Sequence, residues 1–181
     1  MNVLDMCRQV KSGWGFTLIE LVIVIALLGI LAVAALPRMM SSYEGAHESA
    51  VTATGGALAS AVILVRSQWI SNGANGAVDS LEGYGEADVA TSEQGWPTDA
   101  GQGNQSDHSS NISGDAARCQ RIWQSLLVDN APRVSVVPNE IGSDYFVEAP
   151  SGAICRYSYI HTQSNSRIEY NLSSGSVVTV L

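Results

Sequence analysis

The apolar residues of this chain are unevenly placed. From Phe16 to Leu36 almost every position is apolar, with Thr17 and Glu20 the polar exceptions. Read as a helix at about 1.5 Å per residue, the run reaches roughly 32 Å. That matches a bilayer hydrocarbon core of about 30 Å. Beyond Pro37 the pattern becomes amphipathic. Met39, Tyr43, Ala46, Ala50, Ala57, Ala61 and Val65 form a stripe, joined by Leu58, Val62 and Trp69 at steps of three and four. The pattern predicts one helix over 16–70, with an apolar part at 16–37 and an amphipathic part at 38–70. Pro37 is a candidate kink, because its ring removes a donor and crowds the preceding turn.

Residues 71–114 carry no clear period and repeat turn signals such as Asn72-Gly73, Gly83-Tyr84-Gly85 and Gly95-Trp96-Pro97. They predict a surface loop region with short elements. A short helix follows over 115–130, with Asp115 as N-cap and Ala117, Ile122, Leu126 and Leu127 as buried candidates. Over 133–181 runs of alternating residues, such as Arg156-Tyr157-Ser158-Tyr159-Ile160, are separated by turns and predict half-buried antiparallel strands. The fold class that follows is α+β: a long N-terminal helix packed on a C-terminal antiparallel sheet, with 71–181 as a globular head.

Charge narrows the function classes. The formal net charge is −8, Lys11 is the only lysine, and no lysine or arginine lies between Arg66 and Arg118, where eight acids fall. Such a surface repels phosphate backbones and argues against a general nucleic-acid-binding head. The acids between Asp99 and Asp115 lack the spacing of a calcium loop, so the reading there is a solvated loop with no metal. His47, His108 and His161 fall on helix, loop and strand, with no phosphate loop, nucleophile elbow or metal-binding helix signature. The chain reads as no enzyme, with no cofactor.

The N-terminus has the wrong order for a secretory signal. The polar segment before Phe16 carries Arg8 and Lys11, the apolar run follows, and no small-residue cleavage site closes it. A cut at Gly15-Phe16 leaves the run on the mature chain. The basic flank predicts a cytoplasmic N-terminus and an exported head. Glu20 is an acid in an apolar helix, costing on the order of 2.5–3.5 kcal/mol to insert. The new amine of a neighbouring Phe16 would neutralise it.

Residues Gly15-Phe16-Thr17-Leu18-Ile19-Glu20-Leu21-Val22-Ile23-Val24-Ile25 resemble the class III signal of type IV prepilins. In that family a membrane peptidase cuts after the glycine and methylates the new phenylalanine, which here are Gly15 and Phe16. The resemblance also implies an assembly role for Glu20 in subunit docking and for the helix-breaking proline, here Pro37. Residues 1–15 become the leader. Cutting it from 181 residues leaves 166, and losing Asp5, Arg8 and Lys11 moves the formal charge from −8 to −9.

Cys7 leaves with the leader, so Cys119 and Cys155 remain. An even pair in an exported head reads as a disulfide; the rival reading is a thiol nucleophile with His108 or His161. The stretches around Cys119, Trp123, Cys155 and Tyr170, with Gly95-Trp96-Pro97-Thr98, are similar to the mannose-sensitive haemagglutinin pilins, major or minor.

The implied function is a structural subunit of a type IV pilus, a surface filament for adhesion. The implied partners are further copies of the chain and related pilins, prepilin peptidase, the inner-membrane assembly platform and the membrane itself, with a surface or host-glycan target unidentified. The location is the bacterial inner membrane, single-pass with a periplasmic head, and then the extracellular pilus. The alternatives are a minor pilin, a type II secretion pseudopilin, or an anchored protein with a binding head. The last leaves Gly15-Phe16 and Glu20 without a reason.

Overall fold

The computed structural model describes residues 15–86, 88–101, 115–128, 131–150, 153–162 and 164–181. The fold is α+β. A helix, α1 (Leu18–Ser71), is followed by a two-stranded sheet of β1 (Val89–Thr91) and β2 (Pro97–Ala100). Next come α2 (Ala116–Leu126) and a five-stranded sheet, β3 (Val134–Ser135), β4 (Tyr145–Glu148), β5 (Ile154–Tyr159), β6 (Arg167–Asn171) and β7 (Val177–Val180), in sequential order. The chain divides at Tyr43/Glu44 into two compact units.

In the first unit every residue from 15 to 40 is exposed, including Phe16, Leu18 and Val33. Pro37 lies within α1, which runs through it without a break. An apolar helix with no buried face finds its burial in a membrane or against other helices.

In the second unit α1 packs through Val51, Gly55, Leu58, Ala61, Val62 and Val65. This corrects the predicted stripe. Ala46, Ala50 and Ala57 are exposed, as are Met39 and Tyr43 in the first unit, whereas Leu58, Ala61, Val62 and Val65 are buried as read and Trp69 is half-buried. Upstream of Leu58 the buried positions are Val51 and Gly55 rather than Ala46, Ala50 and Ala57. Alanine buries little apolar area, so the larger valine and leucine decide which face turns inward. The outward face carries hydroxyls on Ser49, Thr52, Ser60 and Ser67, which donate back to carbonyls four residues earlier.

The polar middle is less loop-like than its composition suggests. β1 and β2 pair antiparallel, and both strands are buried. Asp99, expected in a solvated loop, is buried: its two carboxylate oxygens accept from Arg121 Nε and Nη2 at 2.9 Å each, and Arg118 Nε lies 3.6 Å away. An ion pair across 22 residues has no local signature, which is why composition points the other way. Residues 102–114, with Asp107 and His108, lie outside the described residues, as do residues 1–14 with Cys7.

Asp115 caps α2 as expected, accepting from Arg118 N at 2.7 Å. Ile122 and Leu126 are buried, but Ala117 is exposed and Leu127 only half-buried, because the buried face is taken by Arg118, Cys119 and Trp123. The sheet is antiparallel except at one edge. β3 runs parallel to β4, since turns at Asn139 and Gly142, both at positive φ, bring the chain back in the same direction.

Between helices and sheet sits an aromatic core. Trp123 stacks on Tyr157 at 4.5 Å and on Tyr145 at 5.1 Å. Buried hydroxyls need partners, and these have them: Tyr157 donates to Cys119 O at 2.8 Å and Tyr170 to Pro97 O at 2.7 Å.

Candidate functional site

The residues singled out by sequence fall into two groups. Gly15 and Phe16 precede α1 outside any helix or strand, with Phe16 exposed. Thr17 and Glu20 then form a reciprocal cap. Thr17 N donates to Glu20 Oε2 at 2.9 Å, Thr17 Oγ1 donates to the same oxygen at 2.8 Å, and Glu20 N donates to Thr17 Oγ1 at 3.3 Å. Sequence reasoning treats Glu20 as a charge awaiting a cation and misses this local role. The signal is present, since Thr-x-x-Glu before an apolar run is a capping box. In the uncut chain Glu20 therefore ties down the first turn. Neither role excludes the other, because one carboxylate oxygen carries all the Thr17 contacts.

The second group lies in the head. Cys119 on α2 and Cys155 on β5 are both buried and joined by a disulfide, with Cα atoms 5.4 Å apart. The bond closes a separation of 36 residues and ties α2 to the middle of the sheet. In the entropy model a loop of that size constrains the unfolded chain by roughly 3–4 kcal/mol. A buried, oxidised sulfur is no nucleophile, which removes the thiol reading.

The structure brings together two histidines that the sequence separates. His47 Nδ1 on α1 lies 2.6 Å from Tyr159 Oη, and His161 Nε2 lies 3.0 Å from Asp144 Oδ1. The two imidazole centroids are 6.5 Å apart. Two zinc-bound imidazole nitrogens would each lie about 2.0–2.1 Å from the metal, and these two are already committed to Tyr159 and Asp144. The group joins helix to sheet. Among the described residues no cluster of three or more histidines, cysteines or acids could hold a metal ion.

A family model described as the prokaryotic N-terminal methylation motif matches residues 15–36. No curated protein and no solved structure gives a significant match. The matched span opens on Gly15 and contains Phe16, Thr17 and Glu20. It coincides with the apolar run whose residues are all exposed. The N-terminal segment is thus a prepilin-type, type IV pilin-like signal, and its apolar helix fits anchoring in an inner membrane before assembly.

Proposed function

We propose that the chain is a structural subunit of a type IV pilus, cut after Gly15, methylated on Phe16 and assembled through α1. The observation that carries this reading is the apolar segment with no buried face, opened by a methylation motif and containing one acid. A lone spanning anchor explains the length but gives no reason for Glu20. In a filament, neighbouring helices cover the apolar faces at roughly 25 cal/mol per Å², and the Phe16 amine of one copy meets Glu20 of another. In this reading residues 1–15 are the leader, 16–37 the membrane and filament segment, 38–70 the amphipathic part and 71–181 the head. Pro37 allows the helix to adjust between them. The chain starts in the inner membrane with its N-terminus cytoplasmic and ends on the cell surface.

The head supports a narrower assignment to pilins of the mannose-sensitive haemagglutinin kind. The buried disulfide joins the two segments, around Trp123 and Tyr157, whose residues carry that resemblance. Its role would be attachment. Co-expression with a prepilin peptidase tests the processing step. The reading expects a product whose first residue is methylated Phe16, and no such product from a Gly15→Val chain. A chain that keeps its first fifteen residues beside an active peptidase contradicts it.

A further inference from the structure

We infer that Asn75 is a self-modification site: the Gly76 amide nitrogen closes on its side chain, expels ammonia and leaves aspartate or isoaspartate at position 75. The inference concerns the head alone and holds whether or not the chain is cut at Gly15.

The chain contains two Asn-Gly pairs, Asn72-Gly73 and Asn75-Gly76. Glycine has no Cβ to shield its amide nitrogen, so either pair permits the reaction by sequence. The structure treats them oppositely. Asn72 directly follows α1 and keeps its bonding pattern: Asn72 N donates to Gln68 O at 2.9 Å, and Gly73 N donates to Ile70 O at 2.9 Å. The Asn72 side chain is held at both ends. Its Oδ1 accepts from Gln68 Nε2 at 2.8 Å, and its Nδ2 donates to Glu82 O at 2.8 Å. Those contacts fix the amide, and the proton on the Gly73 nitrogen is already engaged.

Asn75 has none of these restraints. It is exposed and lies outside any helix or strand. Among the described residues no hydrogen bond involves its side chain, its carbonyl oxygen or the Gly76 N–H. The neighbouring groups are anchored instead. Ala74 N donates to Trp69 O at 3.3 Å, and Trp69 Nε1 donates to Gly76 O at 3.0 Å. Trp69 thus holds the chain on either side and leaves the peptide unit between Asn75 and Gly76 free to turn. A Cβ at position 76 would meet nothing within 4 Å, so no other part of the head crowds the glycine.

The reaction needs only water and a base. Solvent hydroxide takes the Gly76 amide proton, and the nitrogen attacks Asn75 Cγ. A bond forms between them, the Cγ–Nδ2 bond breaks, and the departing nitrogen takes a proton from water and leaves as ammonia. The cyclic imide then adds water at either carbonyl. Opening at Cγ restores the backbone and leaves aspartate. Opening at the Asn75 carbonyl carbon routes the chain through the side chain as isoaspartate. Water enters and ammonia leaves, with no oxidant, reductant or enzyme. Either product adds a negative charge to the stretch between Arg66 and Arg118, which holds no lysine or arginine. Isoaspartate also lengthens the backbone next to the Gly76 carbonyl that Trp69 holds.

Peptide mapping by mass spectrometry tests this on the full chain in detergent, aged in mildly alkaline buffer made with heavy-oxygen water. Each new carboxylate then carries solvent oxygen, which separates conversion in the sample from earlier conversion. In the folded chain Asn75 should convert at least about tenfold faster than Asn72, where two side-chain hydrogen bonds must break first. In denaturant, with the Cys119–Cys155 bond reduced, the two rates should converge, since both residues precede glycine. Gly76→Ala has room in the fold and should slow Asn75 several-fold in both states, because its Cβ shields the nitrogen. Equal rates at Asn72 and Asn75 in the folded chain overturn the inference. A gap of the same size in denaturant overturns it too, because the difference would then lie in the sequence and not in the fold. An unchanged rate in Gly76→Ala would remove ring closure as the route.

Discussion

Gly55 of α1 faces Thr179 of β7 so closely that a Cβ at position 55 would run into the threonine Oγ1, with Ile168 Cγ1 3.6 Å away. The adjacent Gly56 is exposed, and a Cβ there meets nothing within 4 Å. Two neighbouring glycines thus have opposite reasons to exist. One lets helix and sheet approach, and the other only weakens the helix. Gly56→Ala should stabilise the head by about 1 kcal/mol through helix propensity. Gly55→Ala should destabilise it by about 1–3 kcal/mol, because overpacking outweighs the same propensity gain. Denaturant midpoints of the full chain in detergent measure both, and equal shifts of one sign would contradict the close approach.

The buried Asp99 holds β2 to α2 through Arg121 and Arg118. Removing one partner of a buried pair leaves the other charge uncompensated, at about 3–5 kcal/mol. Arg121 keeps a side-chain exposure of 38%, so water relieves part of that penalty and the lower figure applies. Asp99→Asn should cost about 3 kcal/mol, whereas Asp79→Asn on the exposed loop should change little. Thermal or denaturant unfolding measures both, and an Asp99→Asn chain as stable as the unsubstituted one would remove the pair from the account.

These two contacts also show where sequence is informative. The strands at 145–148, 154–159, 167–171 and 177–180 were legible because alternation is a local signal. The extent of α1 was legible because its apolar run is long, and the cysteine pairing because only two cysteines lie beyond that run. The upstream part of the buried line of α1 was misplaced, at Ala50 instead of Val51, because alanines carry too little area to set a face, whereas Leu58, Val62 and Val65 were read correctly. The two-stranded sheet and Asp99 were missed because their burial depends on arginines 19 and 22 residues later in the chain. The Thr17–Glu20 cap has a signature, but an improbable acid in an apolar run points to assembly first.

Three core tyrosines set an alkaline limit. Burial pushes Tyr145 up to about 12, and it also raises Tyr157 and Tyr170 well above the ordinary tyrosine range. In the unfolded chain tyrosine ionises near pH 10. Above that the unfolded state holds fewer protons, so folding stability falls as pH rises from about 10 toward the folded values. Each tyrosine contributes up to about 1.4 kcal/mol per pH unit in that window. Stability should therefore drop steeply above about pH 9.5, with tyrosinate absorbance from these three appearing only as the head unfolds. Gradual ionisation of all the tyrosines in a folded head would contradict the burial described here.

Glu20 has a local role in the cap and a proposed one between subunits, and two substitutions separate them. Glutamine can still accept from Thr17, as it does in other capping boxes, but it carries no charge. Glu20→Ala and Glu20→Gln should both leave the head folded and the Cys119–Cys155 bond formed, and both should lose filaments by tenfold or more, counted by electron microscopy of cells. Normal piliation with Glu20→Gln would leave the cap as the whole explanation of this residue.

The central claim is that this chain is cut, methylated and polymerised, and intact mass analysis of filaments sheared from its native host tests it most directly. The account predicts an abundant species of 166 residues, the 181 less the first 15, that begins at methylated Phe16 and carries Cys119 and Cys155 oxidised. Filaments that lack the chain, with uncut protein retained in the envelope, would contradict it.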